Sequence, residues 1–184
     1  MIYIVFNKPF NVLSQFKEMD GKDTLKKFIK FKEKPKAVGR LDYDSEGLIV
    51  LTDDDEFSEY LTNPRSRIEK EYHVQVEGNI SEADLLPIKN GITTNKEIYQ
   101  PAIADVLQEP DYLWVRNPPI RYRKNIPTSW LKLILKEGKN RMVRKMTAHI
   151  HFPTLRLIRY RIGNITLNGL EPGEFKLVKW QDIC

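Results

Sequence analysis

Cysteine, histidine and long apolar runs are scarce in this chain of 184 residues. Its one cysteine, Cys184, stands last, so no disulfide can form within the chain, and a reducing cytoplasmic compartment is expected. No apolar run approaches the roughly 20 residues that a membrane-spanning helix needs. Residues 1–6 lack the basic leader and the small-residue cleavage site of a signal peptide. The sequence therefore predicts a cytoplasmic protein without membrane association.

What the chain does contain is the residue balance of a folded protein. Hydrophobic residues make up 41% of it and charged residues 30%, which argues against intrinsic disorder. The length suits one domain over residues 1–184, built as two closely packed lobes with enough apolar residues to bury a core. We expect a monomer.

Charges of opposite sign are segregated along the chain. Residues 42–59 contain eight acids and neither lysine nor arginine, whereas residues 113–162 contain thirteen lysines and arginines and one acid, Glu137. With a net charge of +5, this basic segment is typical of a protein that binds a phosphate backbone. A solvated basic face or an acidic protein partner would leave the same pattern.

The functional prediction depends on the motif GRLDYDSEGL at residues 39–48, which runs into the apolar residues 49–52. The apolar run predicts a buried strand, and the glycines at both ends of the motif let the loop turn tightly. A charged loop at the end of a core strand can hold a carboxylate such as Asp42 rigidly in a cleft. A solvated surface turn has the same spacing, so the pattern alone leaves both interpretations open.

Two segments in the first third of the chain predict helices. The first opens at Asp23, a candidate N-cap, and is stopped by Pro35. The second, over residues 53–61, carries acids in its first turn, where they favour the helix dipole. The residues of the second helix expected to face the core are Phe57, Tyr60 and Leu61.

The consecutive acids Asp53, Asp54 and Asp55 also raise the alternative of a metal site, as a metal-dependent nuclease would need. Consecutive carboxylates diverge on a helix and no histidine lies near them, so helix capping is the favoured interpretation. His149 and His151 stand two residues apart, without a carboxylate or cysteine to complete a zinc site. No metal or other cofactor is therefore predicted.

Alternating apolar residues predict strands over residues 70–77, 130–136 and 155–162. Tyr72 lies on the inward face of the first strand, where an ordinary core tyrosine would also lie, and His73 lies on the outward face.

Residues 137–140 form a turn that leads into a predicted helix. The turn before a helix N-terminus is a natural seat for phosphate, and Lys139, Asn140 and Arg141 are placed to form one. The basic loop at residues 117–127 can lie along a phosphate backbone or be an inert surface loop.

Three segments resemble the motifs of bacterial ribosomal-RNA pseudouridine synthases of the RsuA class, and they occur in the order of that class. They are GRLDYDSEGLIVLT at residues 39–52, K-x-Y at Lys70 and Tyr72, and EGKNRxVRxM at residues 137–146. The resemblance extends over about residues 4–173, essentially the whole chain. Most of the class carry an S4-type RNA-binding module, which we expect this protein to lack.

The resemblance implies isomerisation of a specific uridine of 23S rRNA, near the peptidyl-transferase region, to pseudouridine without a cofactor. It identifies Asp42 as the nucleophile, Tyr72 as the ring that stacks on the extruded base, and Arg144 as the partner of Asp42. Arg40 would fill the gap left by the flipped nucleotide.

Two departures from the class put particular RNA contacts in question. Met142 stands where the class usually has glutamine, and Lys145 where it usually has arginine.

With no S4 module, target choice would fall to Tyr122 and the loop around it. The residues predicted to bind RNA are Arg40, Lys70, Arg121, Arg123, Lys139, Asn140, Arg141 and Lys145.

The fold class implied by the resemblance is α+β, in the form of the pseudouridine synthase fold. It has a central, mostly antiparallel sheet with flanking helices, and two lobes around a basic catalytic cleft. The main alternative is a non-catalytic rRNA-binding or ribosome-assembly factor built on the same fold.

Overall fold

The computed structural model describes residues 1–31, 35–121 and 123–183. Tyr122 and Cys184 lie outside the described residues. The strands are β1 (Tyr3–Lys8), β2 (Val12–Leu13), β3 (Asp23–Thr24), β4 (Lys36–Val38), β5 (Glu46–Thr52), β6 (Lys70–Glu77), β7 (Ile92–Thr93), β8 (Ile98–Tyr99), β9 (Ile103–Leu107), β10 (Thr128–Leu135), β11 (Thr154–Ile162), β12 (Ile165–Thr166) and β13 (Phe175–Leu177). The α-helices are α1 (Asp55–Thr62), α2 (Leu86–Asn90), α3 (Met142–His149) and α4 (Trp180–Ile183), and turns of 3₁₀ helix span Leu25–Lys27, Pro64–Ser66 and Ala83–Leu85.

A nine-stranded sheet organises the molecule. Its strands follow the order β13-β1-β5-β11-β6-β10-β9, with β12 beside β11 and β4 beside β5. The two strands at the centre, β5 and β11, pair in parallel where Glu46 meets Ile158 and Gly47 meets Arg159. The pairs on either side of them are antiparallel, so the predicted α+β class with a mostly antiparallel sheet is confirmed.

One face of the sheet carries two separate apolar clusters. Ile4 and Phe6 of β1 and Ile49 and Leu51 of β5 pack in the first cluster. The second cluster lies over β6, β10 and β11 and is covered by α2 and α3. Because side chains alternate across a strand, Lys8 shares the face of Phe6, and Arg159 that of Leu157. Polar side chains therefore occupy the space between the clusters, and the division into two lobes stays a prediction.

The opposite face is covered by one apolar cluster. It joins Val5, Val50 and Ile158 from three neighbouring strands to Phe57 and Leu61 of α1. Each fully buried side chain of this size stabilises the fold by about 1.5–3 kcal/mol. The predicted inward positions of Phe57 and Leu61 are confirmed, whereas Tyr60 is 38% exposed and stacks on Trp180 instead.

The helix predicted to open at Asp23 and to be stopped by Pro35 is wrong over residues 23–31, and residues 32–34 lie outside the described residues. Asp23 and Thr24 form a short parallel pair with β2, and one 3₁₀ turn follows. The amide of Leu25 donates to the carbonyl of Gln15, so the segment's first free amide bonds to a neighbouring segment rather than within a helix. Asp23 forms an ion pair with Lys27 at 2.7 Å instead of capping.

The outward face predicted for His73 is also wrong, because this side of β6 is covered. His73 is buried, and its ring stacks on Tyr160 with centroids 4.5 Å apart. Tyr112 completes the cover, with its hydroxyl 2.5 Å from Nδ1 of His73. Burial disfavours the charged imidazole and lowers the pKa of His73, although Glu71 opposes the shift.

The remaining predicted elements occur close to their expected bounds. These are the strands of residues 70–77, 130–136 and 155–162 and the helix after residue 140, present as β6, β10, β11 and α3. Within the described residues, no helix combines the length and apolarity that crossing a bilayer requires.

Candidate active site

We call residues 39–48, the turn before β5 together with the first three residues of β5, the 39–48 loop; one buried guanidinium fixes both of its ends. Arg159 donates to the carbonyl of Gly39 at 2.6 Å and to that of Leu48 at 2.7 Å. Burial lowers the pKa of Arg159, and the neighbouring hydroxyl of Tyr72 partly opposes the shift. Ser14 adds a third anchor, because its hydroxyl donates to the carbonyl of Leu41 at 2.7 Å. The loop is therefore held at a set distance from β6 and β11.

A cleft of about 540 Å³ opens between this loop and α3. Asp42 and Tyr72, which are 30 positions apart in sequence, both line it. The predicted RNA-binding residues that line the same cleft are Arg40, Lys70, Lys139, Asn140 and Arg141. The fold thus brings together the three sequence motifs, with a carboxylate, an aromatic ring and several cations in one cavity.

Asp42 has Arg141 as its ion-pair partner. The closest approach is 3.6 Å, from Nη1 of Arg141 to Oδ2 of Asp42, and a third of the Asp42 side chain stays exposed. Arg141 precedes α3 with a left-handed backbone, φ 52° and ψ 31°, which directs its side chain back over the loop. Its guanidinium also donates twice to Asp44, at 3.1 and 2.9 Å.

Arg144 does not form the ion pair with Asp42 that the sequence predicts, although both residues lie within the described part of the chain. It donates instead to the carbonyl of Asp44 at 2.6 Å, and its Nη2 lies 3.5 Å from the Asp44 carboxylate. The reason is its place in α3, one turn after Arg141 and largely buried. Burial lowers the pKa of Arg144, and the charge of Asp44 opposes the shift.

Asp44 was not singled out by sequence reasoning, and the structure places it between the two arginines. Partial burial alone would raise the pKa of Asp44. The hydrogen bonds from Arg141 and the charge of Arg144 outweigh that effect, so the pKa lies below its ordinary value. Its place two residues after Asp42, within a loop facing a basic helix, was the available signal.

Lysines near the cleft are partly desolvated. Burial lowers the pKa of Lys70 to about 8, with a further contribution from the charge of Arg159. Lys8 lies beneath the loop, donates to the carbonyls of Pro9 and Val12, and burial lowers its pKa to about 7. Lys70 is therefore a cation whose charge changes within an accessible pH range.

Three of the predicted RNA-binding residues lie outside the cleft. Lys145 pairs with Glu97 at 2.6 Å. Arg121 and Arg123 line a second cavity of about 590 Å³ beneath the 117–127 loop, where Arg123 pairs with Glu77 at 2.9 Å. These residues are thus not part of the site that contains Asp42.

A buried ion pair at the start of β5 was also missed. Glu46 accepts two hydrogen bonds from Arg156, both at 2.9 Å, and a third from the indole nitrogen of Trp114 at 2.8 Å. All three side chains are largely removed from water, so this fully bonded cluster fixes the end of the 39–48 loop. The sequence feature that could have indicated it is Glu46, a single acid at the first position of a mostly apolar strand.

The consecutive acids before α1 point to three different partners. Asp53 accepts from the amide of Ile2, and Asp54 caps α1 through the amide of Phe57 at 3.0 Å. Asp55 pairs with Lys36 at 2.8 Å. The capping interpretation is confirmed, and the described residues contain no cluster of three metal-ligating side chains.

Comparison with known proteins identifies the family. The family model described as RNA pseudouridylate synthase matches residues 2–149. The chain belongs to this family. A relative from Vibrio vulnificus (strain CMCP6), named ribosomal large subunit pseudouridine synthase E, is 52% identical over 173 residues, which cover 94% of this chain and 73% of the relative. A relative of the same name from Xanthomonas campestris pv. campestris is 43% identical over 176 residues, which cover 95% of this chain and 94% of the relative.

The fold leads to the same family. A solved structure described as a crystal structure of pseudouridylate synthase superposes with a TM-score of 0.81 at 27% identity, covering 99% of this chain and 72% of that one. The predicted family and fold are therefore confirmed, and the chain is an RNA-modifying isomerase. Family membership also agrees with the three sequence motifs that line the cleft.

Proposed function

We propose that this enzyme converts a specific uridine of the large-subunit 23S rRNA, near the peptidyl-transferase region, to pseudouridine. The observation that carries the substrate is the identity of 52% over 94% of the chain with a ribosomal large subunit synthase. In this proposal the protein acts in the cytoplasm as a monomer, without a cofactor. Asp42 is the nucleophile.

The reaction breaks the N1–C1′ bond of the uridine and forms a C5–C1′ bond, so substrate and product are isomers. Asp42 acts as the ionised carboxylate, and the base turns within the cleft while it is detached. The proton on C5 is then lost to solvent and N1 gains one. Support for this role comes from the exposed third of the Asp42 side chain and from the cation 3.6 Å away.

The other side chains of the cleft bind and orient the nucleotide. The ring of Tyr72 stacks on the extruded base, and Arg40, exposed beside the nucleophile, fills the gap in the helix. Lys70, Lys139 and Asn140 contact phosphates around the target.

Arg141 and Arg144 supply positive charge on the α3 side of the cleft. Arg141 places a positive charge 3.6 Å from the carboxylate of Asp42, and Arg144 acts on the same loop through Asp44. The basic cleft repays part of the cost of extruding the base, a few kcal/mol.

The proposal is tested by tritium release from 23S rRNA transcribed with 5-tritiated uridine. The wild type is expected to release tritium without added metal, and Asp42→Ala to release none while still binding the RNA. Asp55→Ala is the matched control, because it removes a carboxylate from an exposed surface pair. Equal release by wild type and Asp42→Ala would exclude Asp42 as nucleophile. Release by neither, from naked rRNA or from ribosomal particles, would contradict the substrate.

A further inference from the structure

Two carboxylates of the 39–48 loop share one arginine unequally. Asp44 takes both parallel N–H groups of Arg141, at 3.1 and 2.9 Å. Asp42 has only the 3.6 Å approach of Nη1. A guanidinium that is bidentate to one carboxylate has its preferred geometry already satisfied. Asp44 therefore determines where Arg141 stands relative to Asp42.

Asp44 is itself held in place from the other side. Nη2 of Arg144 donates to its carbonyl oxygen at 2.6 Å and lies 3.5 Å from its carboxylate. The amide of Ser45 donates to the carbonyl of Asp42 at 3.1 Å, which closes the turn between the two acids. With two arginines on its carboxylate, Asp44 is occupied, and Asp42 is the acid with oxygen lone pairs free for a substrate.

We propose that Asp44 is a positioning residue that holds Arg141 off Asp42, so that the nucleophile keeps a nearby positive charge without a direct hydrogen bond to it. The proposal rests on the proposed function and adds a residue to it. A bidentate pair on Asp42 would occupy the oxygens that must attack the ribose. A cation at 3.6 Å still supplies a positive charge beside the nucleophile while leaving its oxygens free of a direct hydrogen bond.

The isosteric variant Asp44→Asn tests this because it removes the charge and one acceptor but keeps the shape. Arg141, released from Asp44, is expected to close on Asp42, and the single-turnover rate is expected to fall about ten- to hundredfold. The charged groups facing Asp44 are Arg141 and Arg144 on the α3 side, Lys8 on β1 and Asp42 on the same loop. Asp44→Asn removes a negative charge, so the cleft around the 39–48 loop becomes more positive. The acid limb of the pH–rate profile is therefore expected to move to lower pH.

The experiment compares tritium release under single-turnover conditions, from about pH 5 to 9, for the wild type, Asp44→Asn, Arg141→Gln and the double variant. Since Asp44 acts through Arg141, the double variant should be no slower than Arg141→Gln alone. Multiplying rate losses, or an acid limb that stays in place or moves to higher pH, would overturn the proposal. Asp55→Asn, at an exposed pair, should match the wild type.

A crystal structure of Asp44→Asn gives a readout that does not depend on activity. The separation of Arg141 from Asp42 should shorten from 3.6 Å to hydrogen-bond distance. An unchanged separation would overturn the proposal even if the rate fell. Absence of tritium release by the wild type would instead contradict the proposed function, and the structures would still decide the role of Asp44.

Discussion

Tyr72 lines the cleft with 8% of its surface exposed, and it lies close to the buried guanidinium of Arg159. Tyr72→Leu keeps an apolar side chain but removes the stacking plane, worth about 1–3 kcal/mol per base. We expect it to weaken binding of the extruded uridine roughly five- to hundredfold. Tyr72→Phe keeps the plane and should retain affinity while losing the hydroxyl's contribution to the rate. Measuring RNA affinity and single-turnover tritium release for both variants distinguishes the effect on binding from the effect on rate. Wild-type affinity in Tyr72→Leu would contradict the stacking role.

We expect Lys70 to make RNA binding depend on pH. Its pKa of about 8 means that it is charged at pH 7 and largely neutral at pH 9 in the free protein. Phosphate favours the charged form, so affinity is constant below pH 8 and falls above it, by up to about tenfold between pH 7 and pH 9. Lys70→Arg keeps its charge throughout this range and should lose the dependence. Filter binding at pH 7 and pH 9 measures the RNA affinity of the wild type and of Lys70→Arg. An equal loss of affinity in the two proteins would show that Lys70 is not the group responsible.

Which arginine serves Asp42 could not be read from the sequence. The motif places Arg141 and Arg144 one turn apart at the start of a helix, and resemblance favours Arg144. The outcome depends on the left-handed backbone at residue 141, a conformation that L-residues rarely adopt and that local propensity does not predict. The role of Arg159 was not predicted either, because its carbonyl partners, Gly39 and Leu48, are distant in sequence.

At the scale of secondary-structure elements, the contact of β5 with β11 depends on Gly47. Its φ is 105°, and a Cβ there would lie 2.4 Å from the carbonyl oxygen of Arg159. Gly47→Ala should therefore reduce the free energy of unfolding by about 2 kcal/mol or more, because both strain and a backbone clash result. Gly169→Ala is the control, since its φ of 70° carries strain but no heavy atom lies within 4 Å. Urea unfolding measures both, and equal losses would show that the close approach is unimportant.

The elements that sequence reasoning predicted well are those with a long, regular pattern. β6 alternates and occupies its predicted residues 70–77, whereas β5 is apolar in its buried centre and begins at Glu46, three residues before the predicted run 49–52. Asp23 is a helix start signal, yet the amide of Leu25 bonds to the carbonyl of Gln15 in a neighbouring segment, and tertiary contacts override the local preference. The cover on His73 was missed for the same reason, since Tyr112 belongs to a loop with no periodic pattern.

At the scale of the whole molecule, the basic segment that predicts RNA binding is largely neutralised by the fold. Acids from distant parts of the chain meet many of its cations. Pairs of this kind are Arg123–Glu77, Lys132–Asp105, Lys136–Glu69, Lys145–Glu97, Arg156–Glu46 and Arg161–Glu71. The count of charges along the sequence therefore overstates the positive field. Sheet register sets pairs such as Lys132–Asp105 and Arg161–Glu71, and composition carries no information about register.

Outside the cleft, the residues predicted to bind RNA are Lys145, which pairs with Glu97, and Arg121 and Arg123 in the 117–127 loop. The two arginines belong to one loop and can be tested together. Replacing both with alanine should weaken rRNA binding and lower the salt slope of log Kobs by about 0.7 for each phosphate that the variant no longer neutralises. Arg121 should contribute more, because Arg123 already pairs with Glu77 at 2.9 Å.

The matched control replaces two other exposed cations with alanine. They are Arg65, in the 3₁₀ turn that follows α1, and Lys179, which directly precedes α4. It removes the same net charge, so a purely non-specific attraction to RNA would weaken equally in both double variants. A smaller slope in the Arg121 and Arg123 variant alone would mean that the loop touches the RNA backbone. Equal slopes in the two double variants would mean that the 117–127 loop makes no specific contact with RNA. Target choice would then have to arise from the shape of the cleft around Asp42.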